Sequence, residues 1–171
     1  QAVKETTALV LTDGDNAIVP TVFSANCGGW TENNENVWDG APAPALRGRS
    51  DHHGRYNAQG NRSVEKWIGS KPDSFCAHDG QYYRWNRSLS LTNLSKRLNS
   101  QYGIGTLTQV KALERGVSGR LKAVQLVGSR KTVTVRKELN IRRAFENLPS
   151  ALCTFSVDRR AGVLHVRGAG R

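Results

Sequence analysis

Leu107-Thr-Gln-Val-Lys-Ala-Leu-Glu-Arg115, Leu121-Lys-Ala-Val-Gln-Leu-Val127 and Lys131-Thr-Val-Thr-Val-Arg136 follow one another with only Ser118-Gly119 and Gly128-Ser129 as turns between them. Short aliphatic and β-branched runs broken by glycine turns predict three strands of an antiparallel meander. Just upstream, Ser90 stands where an N-cap belongs, and Leu91, Leu94 and Leu98 recur at the spacing of one helical stripe. Tyr82 to Leu89 reads as a strand. Downstream, Lys137 to Phe145 reads as a helix with Leu139 and Phe145 as core contacts, then Ala151 to Val157 and Gly162 to Val166 as strands. The expected class is α+β, mostly antiparallel, with two or three short helices. Residues 82–157 suggest a smaller lobe within a single domain spanning 1–171.

The first half is less regular. Thr6 to Leu11, the turn Asp13-Gly14-Asp15-Asn16 and Ala17 to Phe23 read as a hairpin. From Ser24 to Arg62 periodicity nearly vanishes, and a loop of that length in a compact domain is commonly functional. Ser63 to Ile68 predicts a short helix capped by Ser63.

Net charge is +11 and the pI near 10.1, which favours polyanionic partners such as nucleic acid, anionic membrane or bacterial wall polymer. The Lys and Arg residues are dispersed, and no helix-turn-helix, zinc-finger or aromatic RNA-binding signature accompanies them, so nucleic acid is not the expected partner. No apolar run approaches membrane-spanning length. Gln1-Ala-Val-Lys-Glu5 is not a signal peptide.

Chemistry concentrates in Phe23-Ser-Ala-Asn-Cys-Gly-Gly-Trp-Thr-Glu-Asn-Asn-Glu-Asn-Val-Trp38. Its glycines allow positive φ and close backbone approach. Its amides, carboxylates and hydroxyls offer dense hydrogen bonding, and Trp30 and Trp38 supply flat faces that stack on sugar rings. Carbohydrate is the ligand this composition suggests, with Trp30 partly exposed. Trp67, Trp85, Tyr82 and Tyr83 read more simply as core.

The same window is similar to the central motif of the stage II sporulation protein D/amidase-enhancer (LytB-type) domain. Ser24, Cys27, Gly28, Gly29, Thr31, Glu35, Val37 and Trp38 fall in that motif's order and spacing. Pro44-Ala-Leu-Arg47 and Tyr83-Arg-Trp85 resemble later steps of the family. The resemblance implies action on peptidoglycan glycan strands outside the cytoplasm (periplasm or cell envelope). The protein would be part of a lytic transglycosylase giving 1,6-anhydro products, or a non-catalytic module that binds wall and activates a cell-wall amidase. It implies a substrate-binding set of Ser24, Cys27, Gly28, Gly29, Trp30, Thr31, Glu35, Asn36 and Trp38. A transglycosylase needs one acid of raised pKa, because the attacking hydroxyl belongs to the substrate. The family's acid is a Glu in a segment ahead of the stretch resembled here, and family members run on into a Gly-His-Gly segment. This chain carries neither, so it is expected to bind glycan weakly and turn nothing over. Glu32 and Glu35 are the substitutes the motif offers. The plainer expectation is that Glu35 holds the loop through backbone N–H groups while Glu32 is solvated. Gly28→Val is expected to damage the site more than the fold if Gly28 lies on an exposed loop.

Other readings stay open. Cys27 with His52 or His53, oriented by Asn26 or Asp51, has the groups of a cysteine nucleophile; Asp39 and Asp51 otherwise read as turn residues. Cys27, His52, His53, Cys76 and His78 contain zinc-type donors without zinc-type spacing, and neither metal nor cofactor is assigned. Because Cys27 matches a position that is often Ser in the resembled family, Cys76–Cys153 is the expected disulfide in an oxidising compartment. The alternative is three reduced thiols with Cys153 as a small buried apolar residue.

Overall fold

The computed structural model describes residues 1–51, 61–78 and 80–171. Its ordered centre is two three-stranded antiparallel sheets with helices against them, which is the α+β architecture expected.

The meander forms as read: β2 (Leu107–Arg115), β3 (Leu121–Gly128) and β4 (Thr132–Arg136) pair in sequence order. The second sheet has the order β1-β6-β5, from β1 (Trp85–Ser90), β5 (Cys153–Asp158) and β6 (Val163–Gly168). The sheet that holds β1 and β5 therefore also holds β6, beyond residue 157. Helix α5 (Leu91–Tyr102) runs from one sheet to the other. Ser90 Oγ accepts from the Asn93 N–H, and Gly103, at φ +67°, ends the helix in the left-handed conformation. Ser95 Oγ accepts from the Leu107 N–H at 3.0 Å, which ties the buried side of α5 to the start of β2.

Leu94, Leu98, Ile104, Leu121, Val124, Leu126, Ile141, Phe145, Leu164 and Val166 build the main core. A smaller cluster of Val64, Trp67, Ile68, Leu152 and Ala169 lies where α3 (Asn61–Gly69) meets β5. Trp67, Trp85 and Tyr83 are buried, so they are core side chains rather than a glycan-lining stripe.

Several local expectations need correction. Helix α6 (Glu138–Ala144) is present, but Leu139 is 45% exposed. The stripe it buries is Glu138, Ile141 and Ala144, with Phe145 just beyond. The run expected to start a strand at Tyr82 first makes a helical turn, α4 (Gly80–Tyr83), and extends only from Trp85. The N-terminal hairpin is reduced to a helical turn, α1 (Ala2–Glu5), and a single bridge, Thr12 to Ile18. Asp13 Oδ1 accepts from the Asp15 and Ala17 N–H groups and fixes that turn. Leu9, Val10, Leu11 and Ile18 nevertheless stay exposed. A two-stranded ribbon with no covered face is marginal in water, which explains why the alternation did not become a sheet. Helix α3 begins two residues before the expected cap at Ser63.

Candidate functional site

Asn26 starts the bend of the motif. Its side-chain carbonyl accepts from the Gly28 N–H at 2.8 Å, and its amide donates to the Cys76 carbonyl at 2.9 Å. Gly28 and Gly29 follow at φ +73° and +94°, both buried. A Cβ on Gly28 would stand 2.8 Å from the Gly170 nitrogen, and one on Gly29 would stand 2.5 Å from the Trp67 ring. Both positions thus require glycine for backbone conformation and for space. The glycines are packed behind the surface, and the expectation for Gly28→Val reverses: the substitution strikes the fold.

Arginine side chains hold the carbonyls of this bend. Arg120, half-buried at the edge of the bend, donates to Cys27 O at 2.9 Å and Trp30 O at 2.8 Å. Burial lowers its pKa from the ordinary arginine value, while the Glu32 carboxylate acts in the opposite direction. Arg84 and the Trp67 indole both donate to Gly28 O. Beyond the bend, Thr31 pairs with Arg49 through backbone and hydroxyl, alongside the Trp30–Ser50 bridge. Trp30 is half-buried, as expected.

The two motif carboxylates have roles opposite to those expected. Glu32 is the acceptor: its oxygens receive the Asn33, Val117 and Ser118 N–H groups, the Asn36 amide and the Ser118 hydroxyl. It joins the motif to the turn between β2 and β3. Glu35, on the short helix α2 (Asn34–Val37), is gripped by Arg47 through both guanidinium nitrogens, at 2.9 and 2.5 Å. The Arg47 hydrogen bonds hold its carboxyl below the usual carboxylate range. A transglycosylase acid must keep its proton near neutral pH. Glu35 is shifted the wrong way; the oxygens of Glu32 are taken up by the hydrogen bonds that join the motif to the β2–β3 turn.

An open cleft of about 540 Å³ runs beside the bend. Among the residues expected to bind substrate, Ser24, Cys27, Thr31 and Trp38 line it; Gly28, Gly29, Trp30, Glu35 and Asn36 do not. Phe23 (96% exposed) and Trp38 (50% exposed) present apolar faces there. The lining also carries Arg47, Arg120, Arg142 and Arg171 against Glu32 and Glu138, with Leu139 from α6. Arg120, Glu138, Arg142 and Arg171 were not evident from sequence, because nothing in their local pattern says that α6 and the β2–β3 turn close over a loop a hundred residues earlier. Two larger hollows, of about 770 and 710 Å³, lie among β2, β5 and β6 and beside α5, and contain none of the motif.

The cysteines are arranged differently from the expected pairing. Cys153 is buried in β5, with its thiol pushed up to about 12 by burial. Cys76 lies in a single 3-10 turn, Phe75–His78, with its sulfur 3.0 Å from that of Cys27. A Cys76–Cys153 disulfide is therefore not the arrangement of this fold. Asp51 joins the sulfur pair: its Oδ2 accepts from the Cys76 N–H at 2.8 Å and from the Cys27 thiol at 3.4 Å. Asp51 is thus more than a turn residue, whereas Asp39 is an exposed partner of Lys137. Burial above all, then the Cys76 hydrogen bond, pushes the Cys27 thiol far above its ordinary pKa, the opposite of what nucleophilic catalysis needs. His52 and His53 lie outside the described residues, and His78 is exposed and apart from the sulfur pair. Among the described residues, the donors close enough to share a metal are Cys27, Asp51 and Cys76.

Fold and site together define an α+β domain with a basic, aromatic-rimmed cleft built on an early loop. Residues 32–170 match a family described as a domain of unknown function, DUF8618, and the chain belongs to that family. The matched stretch begins inside the motif, past Cys27 and both glycines of the bend. No curated protein matches the chain.

Proposed function

We propose that this domain binds bacterial cell-wall glycan in the cleft beside the motif and works outside the cytoplasm, either holding wall or presenting it to a cell-wall amidase. The observation that carries this reading is the chemistry of the cleft. Exposed Phe23 and Trp38 offer faces for sugar rings, Ser24 and Thr31 offer hydroxyls, and four arginines outnumber two glutamates. Peptidoglycan matches that pattern, since its amino-sugar rings have apolar faces and its stem peptides, or the lactyl groups of sugars without them, carry carboxylates that guanidinium groups recognise. The resemblance to the sporulation-D/amidase-enhancer motif supports the same ligand.

Lytic transglycosylation is the enzymatic form of this proposal and rests on the resemblance alone. Glu32 and Glu35 are both committed to other partners, so binding is the form the geometry favours for residues 1–171. Co-sedimentation with purified sacculi tests the binding, and mass spectrometry of the supernatant tests for 1,6-anhydro ends. Binding that weakens about tenfold in Trp38→Ala, a loss of roughly 1.4 kcal/mol, with no anhydro product, is the expected result. Equal binding by Trp38→Ala would remove the cleft from the proposal, and anhydro ends released by this chain would restore the enzyme.

A further inference from the structure

We infer that Cys27 and Cys76 are a disulfide-forming pair that locks the motif bend to the turn behind it, with a small-molecule or protein disulfide as the oxidant. The inference stands apart from the glycan reading, because it needs only the geometry of the two sulfurs and their backbones. The residues are 49 apart in sequence, yet their sulfurs are 3.0 Å apart. Closing to the bonded distance of about 2.05 Å requires a movement of roughly 1 Å. A tetrahedral zinc ion with Zn–S bonds near 2.3 Å would hold two thiolates roughly 3.8 Å apart, so the observed spacing lies on the disulfide side of a metal site.

The surrounding hydrogen bonds already hold both backbones. The Cys27 N–H donates to Cys76 Sγ at 3.3 Å, the Asn26 amide donates to Cys76 O, and the Cys76 N–H donates to Asp51. Burial above all, with Asp51 adding to it, opposes a Cys27 thiolate, so reduced Cys27 keeps its proton until the sulfur it faces is activated. A disulfide carries no charge and removes that conflict.

The exchange balances in two steps. Half-buried Cys76 attacks an external disulfide RSSR; its proton goes to water, a Cys76–SR bond forms, and RS⁻ leaves to be protonated. Cys27 then attacks the Cys76 sulfur and gives its proton to Asp51, the acceptor it already faces. The Cys27–Cys76 bond forms as the second RS⁻ departs and takes up that proton. Two protein thiols are oxidised, and one external disulfide is reduced to two thiols. Cys153, fully buried in β5, takes no part.

The test is to equilibrate the chain with oxidised glutathione, unfold it, alkylate it and map its peptides. One alkylated thiol, at Cys153, and a peptide joining Cys27 to Cys76 are expected. The oxidised chain should melt roughly 5–15 °C above the chain kept in dithiothreitol. Cys153→Ala should retain that difference and Cys76→Ser should lose it. Peptide mapping of the unaltered chain decides the matter even if Cys76→Ser folds poorly. Three alkylated thiols, a cross-link to Cys153, or one tightly held zinc per chain purified under reducing conditions would each overturn the assignment.

Discussion

Glu32 holds together two segments far apart in sequence. Its carboxylate receives the Val117 and Ser118 N–H groups and the Ser118 hydroxyl from the β2–β3 turn, while also capping its own loop through Asn33 and Asn36. Ser118 is fully buried, so losing the acceptor strands donors with no route to water. Glu32→Ala is expected to cost about 2–4 kcal/mol in urea unfolding, and Glu32→Gln, which keeps one carbonyl oxygen, about half of that. Neighbouring Glu35 makes a different test. Its folded pKa is lowered by the Arg47 hydrogen bonds, so the stability it contributes is present above the unfolded carboxyl value. That contribution fades as pH falls through the lower, folded value. NMR titration should find Glu35 losing its charge below the ordinary Glu midpoint, and Arg47→Ala should return it to that midpoint. An unshifted Glu35 in the unaltered chain would contradict the pairing.

At the scale of elements, α6 shows what a sequence reveals and what it conceals. Its existence was legible from position and composition, but its facing was not. Leu139 and Phe145 were both expected inside; Phe145 does enter the core, with Ile141 and Ala144, whereas Leu139 lines the cleft. Which stripe of a seven-residue helix is buried depends on the sheet beneath it, and so few residues give periodicity little to count. Phe145→Ala should therefore cost about 3–5 kcal/mol, and Leu139→Ala less than about 1, by chemical denaturation. The meander and α5 were legible because glycine turns and a Ser cap mark their limits locally. The motif bend was legible as special but misread as surface. Its glycines answer to Ala169, Gly170 and Trp67, contacts that no local pattern encodes. The same limit hid the pairing of Cys27 with Cys76, which depends on two loops meeting.

For the whole molecule, the question is whether a charge of +11 alone accounts for any affinity to an acidic wall. Diffuse attraction between exposed charges is screened beyond about 10 Å at 0.1 M salt, whereas contacts inside a cleft are screened much less. Binding to sacculi should therefore have two components. The first, set by the dispersed lysines and arginines, should fall roughly tenfold between 50 and 300 mM salt and be shared by any polyanion, DNA included. The second should persist at 300 mM, be confined to glycan and weaken about tenfold in Trp38→Ala, which leaves the charge unchanged. Trp38 is half exposed and outside both cores, so its loss should leave the melting temperature nearly unaltered and the comparison clean. If Trp38→Ala and the unaltered chain instead lose binding along one salt curve, the affinity belongs to the molecule's surface as a whole, and the cleft has no part in it.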